Sequence, residues 1–329
     1  MQLAVAEATD LAVRVLTRYG MSEYCAKMVA EHLVDAALCG HEFSSLARLP
    51  ILAALLRNRP PAGEIRVVRE TENSALIDGG DNIAYAVSVV AIDKAIELCR
   101  KSGIAIVSAN NTWFSGRLAY YVERAARQGF IGMNTVHGTA RTAPFGGMEA
   151  LLGTNPFAIA FPSEDEPVII DMSTSATTHG AANLAKAKGE TLPEGLAVDS
   201  NGRPTVDPDA ALKGAFLTWG GHRGYGISLA LQLLGMLAGS EPVVKDDSHF
   251  GLFFLVIDPG LMMPGGQYQA RVSELKKIIA STRPAAGVKK VRVPGERSLR
   301  HRRRALAAGA AAVINVDDKV YSRIRELLV

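Results

Sequence analysis

Apolar positions recur three and four residues apart through the first sixty residues, and then give way to runs and alternations of strand type. Residues 4–18 carry Val5, Leu11, Val15 and Leu16 at helical spacing, closed by Gly20. Ser22 caps a second predicted helix, through Ala26, Val29, Leu33 and Ala37 to Cys39. A third starts near Ser45 and carries Leu49, Leu52, Leu55 and Leu56 as far as Pro60-Pro61. Between 64 and 110 the period changes. Residues 65–68 and 74–78 predict strands, Gly79-Gly80-Asp81-Asn82 a turn, 85–101 a helix stopped by Gly103, and 104–107 a buried strand.

Further on, a helix over 116–128 leads to a strand over 131–134. A strand over 167–170 ends at Asp171, and 176–188 reads as a helix with a basic end. Residues 190–208 form a loop rich in Gly, Pro and Asp. The segment 225–237 is so apolar that it predicts a helix buried on most sides. A strand over 250–257, a helix over 268–282, a basic helix from 294 running past Gly309, and a last helix over 317–328 complete the pattern. Helices interleaved with strands make this an α/β chain.

Length and composition narrow the class. A chain of 329 residues suits two or three lobes. The aromatic share of 6% gives no stacking platform for single-stranded nucleic acid. The formal net charge of +3 sits largely in the run Arg297 to Arg304, which predicts a solvated helix face and no nucleic-acid partner. Three cysteines without zinc spacing imply a reducing compartment and no metal. No apolar stretch is long enough to span a bilayer, so the expectation is a cytoplasmic protein with no membrane partner.

Candidate chemistry gathers between 143 and 226: Ala143-Pro144-Phe145-Gly146-Gly147, Leu152-Gly153-Thr154-Asn155-Pro156, Asp171-Met172-Ser173-Thr174-Ser175, and Gly220-Gly221-His222-Arg223-Gly224-Tyr225-Gly226. Glycines and small hydroxyls at element ends leave backbone N–H groups free to meet a ligand, and a strand end bearing an acid and hydroxyls is where open α/β sheets hold one. The stretch reads as the floor of a nucleotide site. Each piece has a plainer reading: Asp171 as a helix cap, and the glycine-rich segment as a turn with a solvated arginine. Neither a Gly-x-Gly-x-x-Gly after a strand nor a Gly-x-x-x-x-Gly-Lys-Ser/Thr is present, which argues against Rossmann and P-loop folds. His137 and His179 lie in or beside this stretch and are candidate proton donors, although a single histidine is more often structural.

With these motifs in order, the chain resembles the type-2 malate/L-lactate dehydrogenase family, which includes ureidoglycolate dehydrogenase and ketimine reductases. Gly40-His41-Glu42 with Arg48-Leu49-Pro50, the first three central motifs, Pro193-Glu194-Gly195, Gly202-Arg203-Pro204-Thr205, Gly221 to Gly226 and Pro294-Gly295-Glu296-Arg297 carry the resemblance over nearly the full length. It implies a three-lobed α/β fold with a non-Rossmann NAD(P)-binding domain. The lobes fall at 1–60 (joined by 299–329), 61–115 and 116–298. A homodimer is implied, with NADPH or NADH reducing a small 2-oxo acid or cyclic 2-imino acid. Thr139, Asp171, Met172 and Ser173 then lie along the cofactor. Arg223, where the family has lysine, reaches the nucleotide with His222 and Gly224. Pro294, Gly295 and Glu296 close over the adenosine end, and Arg48 takes the substrate carboxylate.

Two departures bear on substrate. Ser44 stands where the family has its proton-donating histidine, and Phe114 replaces a second histidine in Trp113-Phe114-Ser115-Gly116. A serine hydroxyl is a poor general acid beside imidazole. An imine enters already protonated or takes its proton from water, so these replacements favour a ketimine or an unusual keto acid. Ser44 would orient a water, His137 or His179 would supply the proton, and Trp113 and Phe114 would make an apolar substrate pocket. The alternative is a catalytically impaired member that binds nucleotide as a sensor or structural protein.

Overall fold

The structure, a computed structural model, describes residues 1–61 and 63–329. A short strand β1 (Gln2–Ala4) opens the chain, followed by helices α1 (Val5–Arg18), α2 (Glu23–Leu38) and α3 (Leu49–Asn58). The Ser22 hydroxyl caps α2 by accepting from the Cys25 amide. The third helix starts at Leu49 instead of near Ser45. Residues 42–44 and 46–48 form two short 3-10 turns, interrupted by the extended ψ of Ser45. These turns deliver Phe43, Ser44 and Arg48 to the site described below.

Strands β2 (Arg66–Glu70) and β3 (Ser74–Ile83) come next, then α4 (Ala84–Ser102) and β4 (Ile104–Trp113). The expected turn at Gly79 to Asn82 is instead part of β3. A Cβ on Gly79 would lie 2.6 Å from the Asn111 carbonyl, so glycine there lets β3 bulge against β4 without reversing. Asp81 adopts a φ of 56°, and Asn82 Nδ2 donates to the Gly79 carbonyl at 2.9 Å to hold the bulge.

After α5 (Ala119–Ala126) and β5 (Ile131–His137) lie β6 (Phe157–Phe161), β7 (Val168–Met172), α6 (His179–Lys188), β8 (Ala197–Val198), α7 (Pro208–Lys213) and β9 (Ala215–Phe216). The chain continues through α8 (His222–Met236), β10 (Gly251–Ile257), α9 (Gln267–Ser281), α10 (Glu296–Leu306), β11 (Val313–Asn315) and α11 (Asp318–Glu326).

One seven-stranded sheet runs β2-β3-β4-β10-β5-β6-β7, drawing on both the 61–115 and 116–298 segments. Within this sheet, among the described residues, only β3 and β4 pair in parallel, with α4 as their crossover. Because β10 runs antiparallel to both β4 and β5, those two strands share a direction; β6 reverses it and β7 restores it. Thus β3, β4, β5 and β7 all end on the same edge. Helices α4 and α5 bury Val87, Ile92, Tyr121 and Val122 against the sheet. A second core joins α1 to α3 with Ile314 and Ile324 from the C-terminal segment, and β1 pairs with β11 antiparallel.

Three expectations fail here for physical reasons. Helix α8 is not buried on most sides: Ile227, Leu229, Leu233 and Leu237 are exposed, Leu237 by 62%. Its near-uniform apolar sequence conceals that only the face carrying Gly224, Ser228, Leu231, Gln232 and Gly235 packs inward. The basic helix α10 stops at Leu306, and Gly309 turns with φ 58° into β11. Nor is its arginine run wholly solvated. Arg302 Nη1 donates to Asp35 Oδ1 at 2.8 Å and to Glu123 Oε2 at 3.0 Å, while Arg117 also pairs with Asp35. This network ties α2, α5 and α10 together. Among the described residues, no helix is long and apolar enough to cross a membrane.

Candidate active site

A cleft of about 720 Å³ opens where β3, β4, β5 and β7 end. Tyr85 follows β3, Phe114 to Arg117 follow β4, Gly138 and Thr139 follow β5, and Asp171 to Ser173 close β7. The side chains of an α/β sheet that meet a ligand come from this edge. Opposite them stand Phe43, Ser44 and Arg48 from the 3-10 turns, His179 and Gly180 from the start of α6, and Gly295, Ser298 and Leu299 around α10.

The floor is held by hydrogen bonds between two of the motifs. Ser173 Oγ donates to the Thr154 carbonyl at 2.9 Å, Thr174 N and Oγ1 donate to the same oxygen, and Trp219 Nε1 donates to the Ser173 carbonyl. From behind, α8 fixes the first of them: Gln232 Oε1 accepts from the Gly153 amide and from Asn155 Nδ2. Asp171 Oδ2 accepts from the Ala119 amide at 2.8 Å. Asp171 is exposed along the cleft, with its carboxyl set among the surrounding cleft walls. Burial pushes its pKa up, with the Ala119 bond and Arg117 pulling the other way.

Arg48 carries the strongest signal. Its guanidinium carbon lies 3.9 Å above the Phe43 ring and 5.5 Å from that of Phe114. Burial holds its pKa below the usual arginine value, and no carboxylate among the described residues offsets that. A half-buried guanidinium clamped between two rings and lacking an anion is preorganised for one from outside the chain. Arg141 also lines the cleft, 3.5 Å from Asp247, whose carboxylate accepts from the Thr139 hydroxyl. His41 Nε2 sits 2.9 Å from Ser298 Oγ.

Several predicted site residues lie elsewhere. His137, the last residue of β5, lies between the cleft-lining Val136 and Gly138 but points away from the cleft, beneath Gly235 of α8. It is fully buried, Nδ1 is 3.1 Å from Ser240 Oγ, and burial pushes its pKa down to about 4. That makes it a structural neutral imidazole and not a proton donor. Trp113 is also buried behind the site, donating to the Asp81 carbonyl at 3.0 Å, so Phe114 alone of that pair lines the cleft. His222, Arg223 and Gly224 do not line it either. A Cβ on Gly224 would lie 1.8 Å from the Trp219 carbonyl, so that glycine serves close packing, while the His222 ring meets Phe145, 5.9 Å between centroids. Pro294 and Glu296 border a neighbouring cleft of about 440 Å³, and only Gly295 of that motif reaches the main one.

Sequence reasoning missed Tyr85, Arg141 and Asp247. Tyr85 was read only as the start of a helix; its place immediately after a strand was the available signal. No group of three metal-ligating side chains occurs among the described residues.

The donor set of the cleft fits a nucleotide. Hydroxyls of Thr139, Thr154, Ser173 and Ser298 are spread along the cleft with Arg141, beside small residues that leave room for a planar ring. Fold and cleft together define an NAD(P)-dependent oxidoreductase built without a Rossmann unit. The chain belongs to the malate/L-lactate dehydrogenase family, whose description it matches over residues 3–325. It is 33% identical to an L-sulfolactate dehydrogenase of Methanocaldococcus jannaschii over 327 residues, covering 96% of this chain and 93% of that one. It is 30% identical to a Δ1-pyrroline-2-carboxylate/Δ1-piperideine-2-carboxylate reductase of Pseudomonas putida over 336 residues, covering 98% and 95%. Its fold superposes on the crystal structure of Δ1-piperideine-2-carboxylate reductase from Pseudomonas syringae with TM-score 0.88 at 27% identity, covering 99% of each chain.

Proposed function

We propose that the protein uses NADPH or NADH to reduce a small cyclic 2-imino acid or a 2-oxo acid. The observation that carries this reading is Arg48, a guanidinium without an internal anion in a strand-end cleft walled by Phe43 and Phe114. A carboxylate on Arg48 places the neighbouring C=N or C=O bond beside the aromatic wall, which suits a ring better than a short polar chain. Thr139, Asp171, Met172, Ser173 and Gly295 would hold the nucleotide, whose reduced nicotinamide supplies the hydride when bound. Ser44 would orient a water or the carboxylate, and His179 would stand at the α6 side of the substrate. The names of the two relatives, one acting on a hydroxy acid and the other on cyclic imines, support both substrate classes.

The decisive experiment is a titration of NADH and NADPH fluorescence followed by a screen of cyclic imino and 2-oxo acids. The expected result is micromolar nucleotide binding with oxidation by at least one substrate class. Absence of binding to both nucleotides at millimolar concentration would reject the reading. A homodimer is the proposed assembly, supported by the family resemblance and the exposed apolar face of α8.

A further inference from the structure

We infer that Tyr85 is the proton donor of the reduction, in place of the imidazole that Ser44 replaces. This rests on the proposed reductase reading and assigns that reaction's missing acid. Tyr85 stands in the first turn of α4, two residues beyond the end of β3, at the sheet edge that forms the cleft, and it lines that cleft together with Arg48. Its ring is 1% exposed and is fixed on two sides. His32 meets it edge-on with centroids 4.6 Å apart, and Phe114 stacks against it at 6.2 Å. Room for the ring is built into the backbone: Gly116 has φ 73°, and a Cβ there would lie 2.6 Å from Tyr85 Cε1 and Cζ. His32 Nε2 accepts from the Arg117 amide at 3.1 Å, so its proton sits on Nδ1 and the imidazole offers the phenol no acceptor at Nε2. Among the described residues, Tyr85 Oη has no protein hydrogen-bond partner, which leaves it to a group in the cleft. Phe114 is thus bracketed by Tyr85 and Arg48, putting an acid and a carboxylate receptor on the same aromatic wall.

The other cleft donors are poorer. Ser44 is an aliphatic alcohol. His41 and His179 have pKa values lowered by burial, so at neutral pH they are largely without the extra proton. The Tyr85 phenol is pushed up to about 12 by burial, with Arg48 acting against the rise. It is therefore fully protonated at neutral pH, and the phenolate it leaves is stabilised by the neighbouring guanidinium. The substrate carbon accepts the hydride given up by the reduced nicotinamide, the C=O or C=N pair moves to the heteroatom, and the heteroatom takes the Oη proton. The nucleotide is oxidised by two electrons, and the phenolate regains its proton from water.

Tyr85→Phe keeps the ring and removes only the hydroxyl. The expected result is unchanged thermal unfolding and NAD(P)H affinity within twofold, with kcat for a 2-oxo acid lowered about 100-fold or more. The solvent deuterium effect on kcat should fall towards unity, and a substrate that enters as an iminium should be affected much less. A cofactor-free readout runs in parallel. In the wild-type apoprotein, a carboxylate analogue placed on Arg48 should shift the ultraviolet tyrosinate titration, and Tyr85→Phe should lose that component. If the wild type turns over and Tyr85→Phe matches it within threefold, with the same isotope effect, Tyr85 is not the donor, although the reductase reading stands. If the wild type binds no nucleotide and reduces nothing, it is the reductase reading that fails. Should Tyr85→Phe unfold, Gly116→Ser decides. It keeps the Tyr85 hydroxyl but presses on the ring at Cε1 and Cζ, and unaltered kcat in a folded Gly116→Ser protein whose Tyr85 titration has moved would overturn the assignment.

Discussion

The guanidinium carbon of Arg48 lies over the ring of Phe43, 3.9 Å from its centroid, and a Cβ placed on Gly180 would come within 3.7 Å of Arg48 Nη2. The arginine is therefore wedged between an aromatic face and the first turn of α6. Arg48→Lys should not rescue function, because an ammonium neither stacks on the rings nor presents a two-pronged donor. We expect kcat/KM to fall about 100-fold, about 2.7 kcal/mol of transition-state stabilisation, with nucleotide affinity unchanged. Steady-state kinetics beside a fluorescence titration reads both.

Asp171 provides a test of stability against pH. Its folded pKa is raised by burial, so between the ordinary carboxyl value and the raised one the folded state binds more protons than the unfolded state. Stability therefore falls as pH rises through that window. Asp171→Asn keeps an oxygen for the Ala119 amide and should raise Tm at pH 7, with the gain vanishing under acid conditions where the wild-type carboxyl is protonated. Calorimetry at several pH values would show it, and a lower Tm at neutral pH would contradict the sign.

His137 works in the opposite sense. A folded pKa of about 4 against an ordinary 6.5 means the unfolded chain takes up a proton that the folded one refuses. Stability is full above 6.5 and is lost as pH falls towards 4, by about 3 kcal/mol. Replacing His137 by Gln should flatten that part of the denaturation profile while leaving nucleotide affinity unaltered, since the side chain lies outside the cleft.

Arg302 binds two carboxylates, each with a further arginine: Asp35 also pairs with Arg117, and Glu123 with Arg127. Arg302→Met leaves both partially compensated. The expected loss is about 3 kcal/mol, the lower end for breaking a buried pair, measured by urea unfolding. A change below 1 kcal/mol would show that the remaining arginines suffice.

If α8 forms the face between two copies of the chain, Leu233→Glu should convert the dimer to monomer. Sedimentation or light scattering would report the mass. A dimer unaffected by that charge would place the interface elsewhere.

Much of the α/β layout and the family were legible in the sequence, because long periodic segments and ordered motifs survive without coordinates. Thr154, Asp171 and Ser173 were also singled out as residues, and the fold brings them to one cleft, where Ser173 Oγ donates to the Thr154 carbonyl. What failed was direction. His137 looked as available as Thr139, two residues on, but strand alternation turned it under α8. The glycines around Arg223 suggested a phosphate loop, whereas Gly224 is there because Trp219 crosses it closely. Strands β1 and β11, of three residues each, are too short to show a period. Tyr85 was hidden because a helix start and a strand end read alike when the sheet order is unknown.

The pairing of residues 2–4 with 313–315 has a consequence for synthesis. Helices α1 to α3 are synthesised long before Ile314, Val316 and Ile324, which complete the cover of their apolar surface. Throughout elongation that surface is available to chaperones or to neighbouring nascent chains. A stop codon between positions 300 and 312 should thus yield an aggregating product even though every cleft residue, up to Leu299, has already been translated.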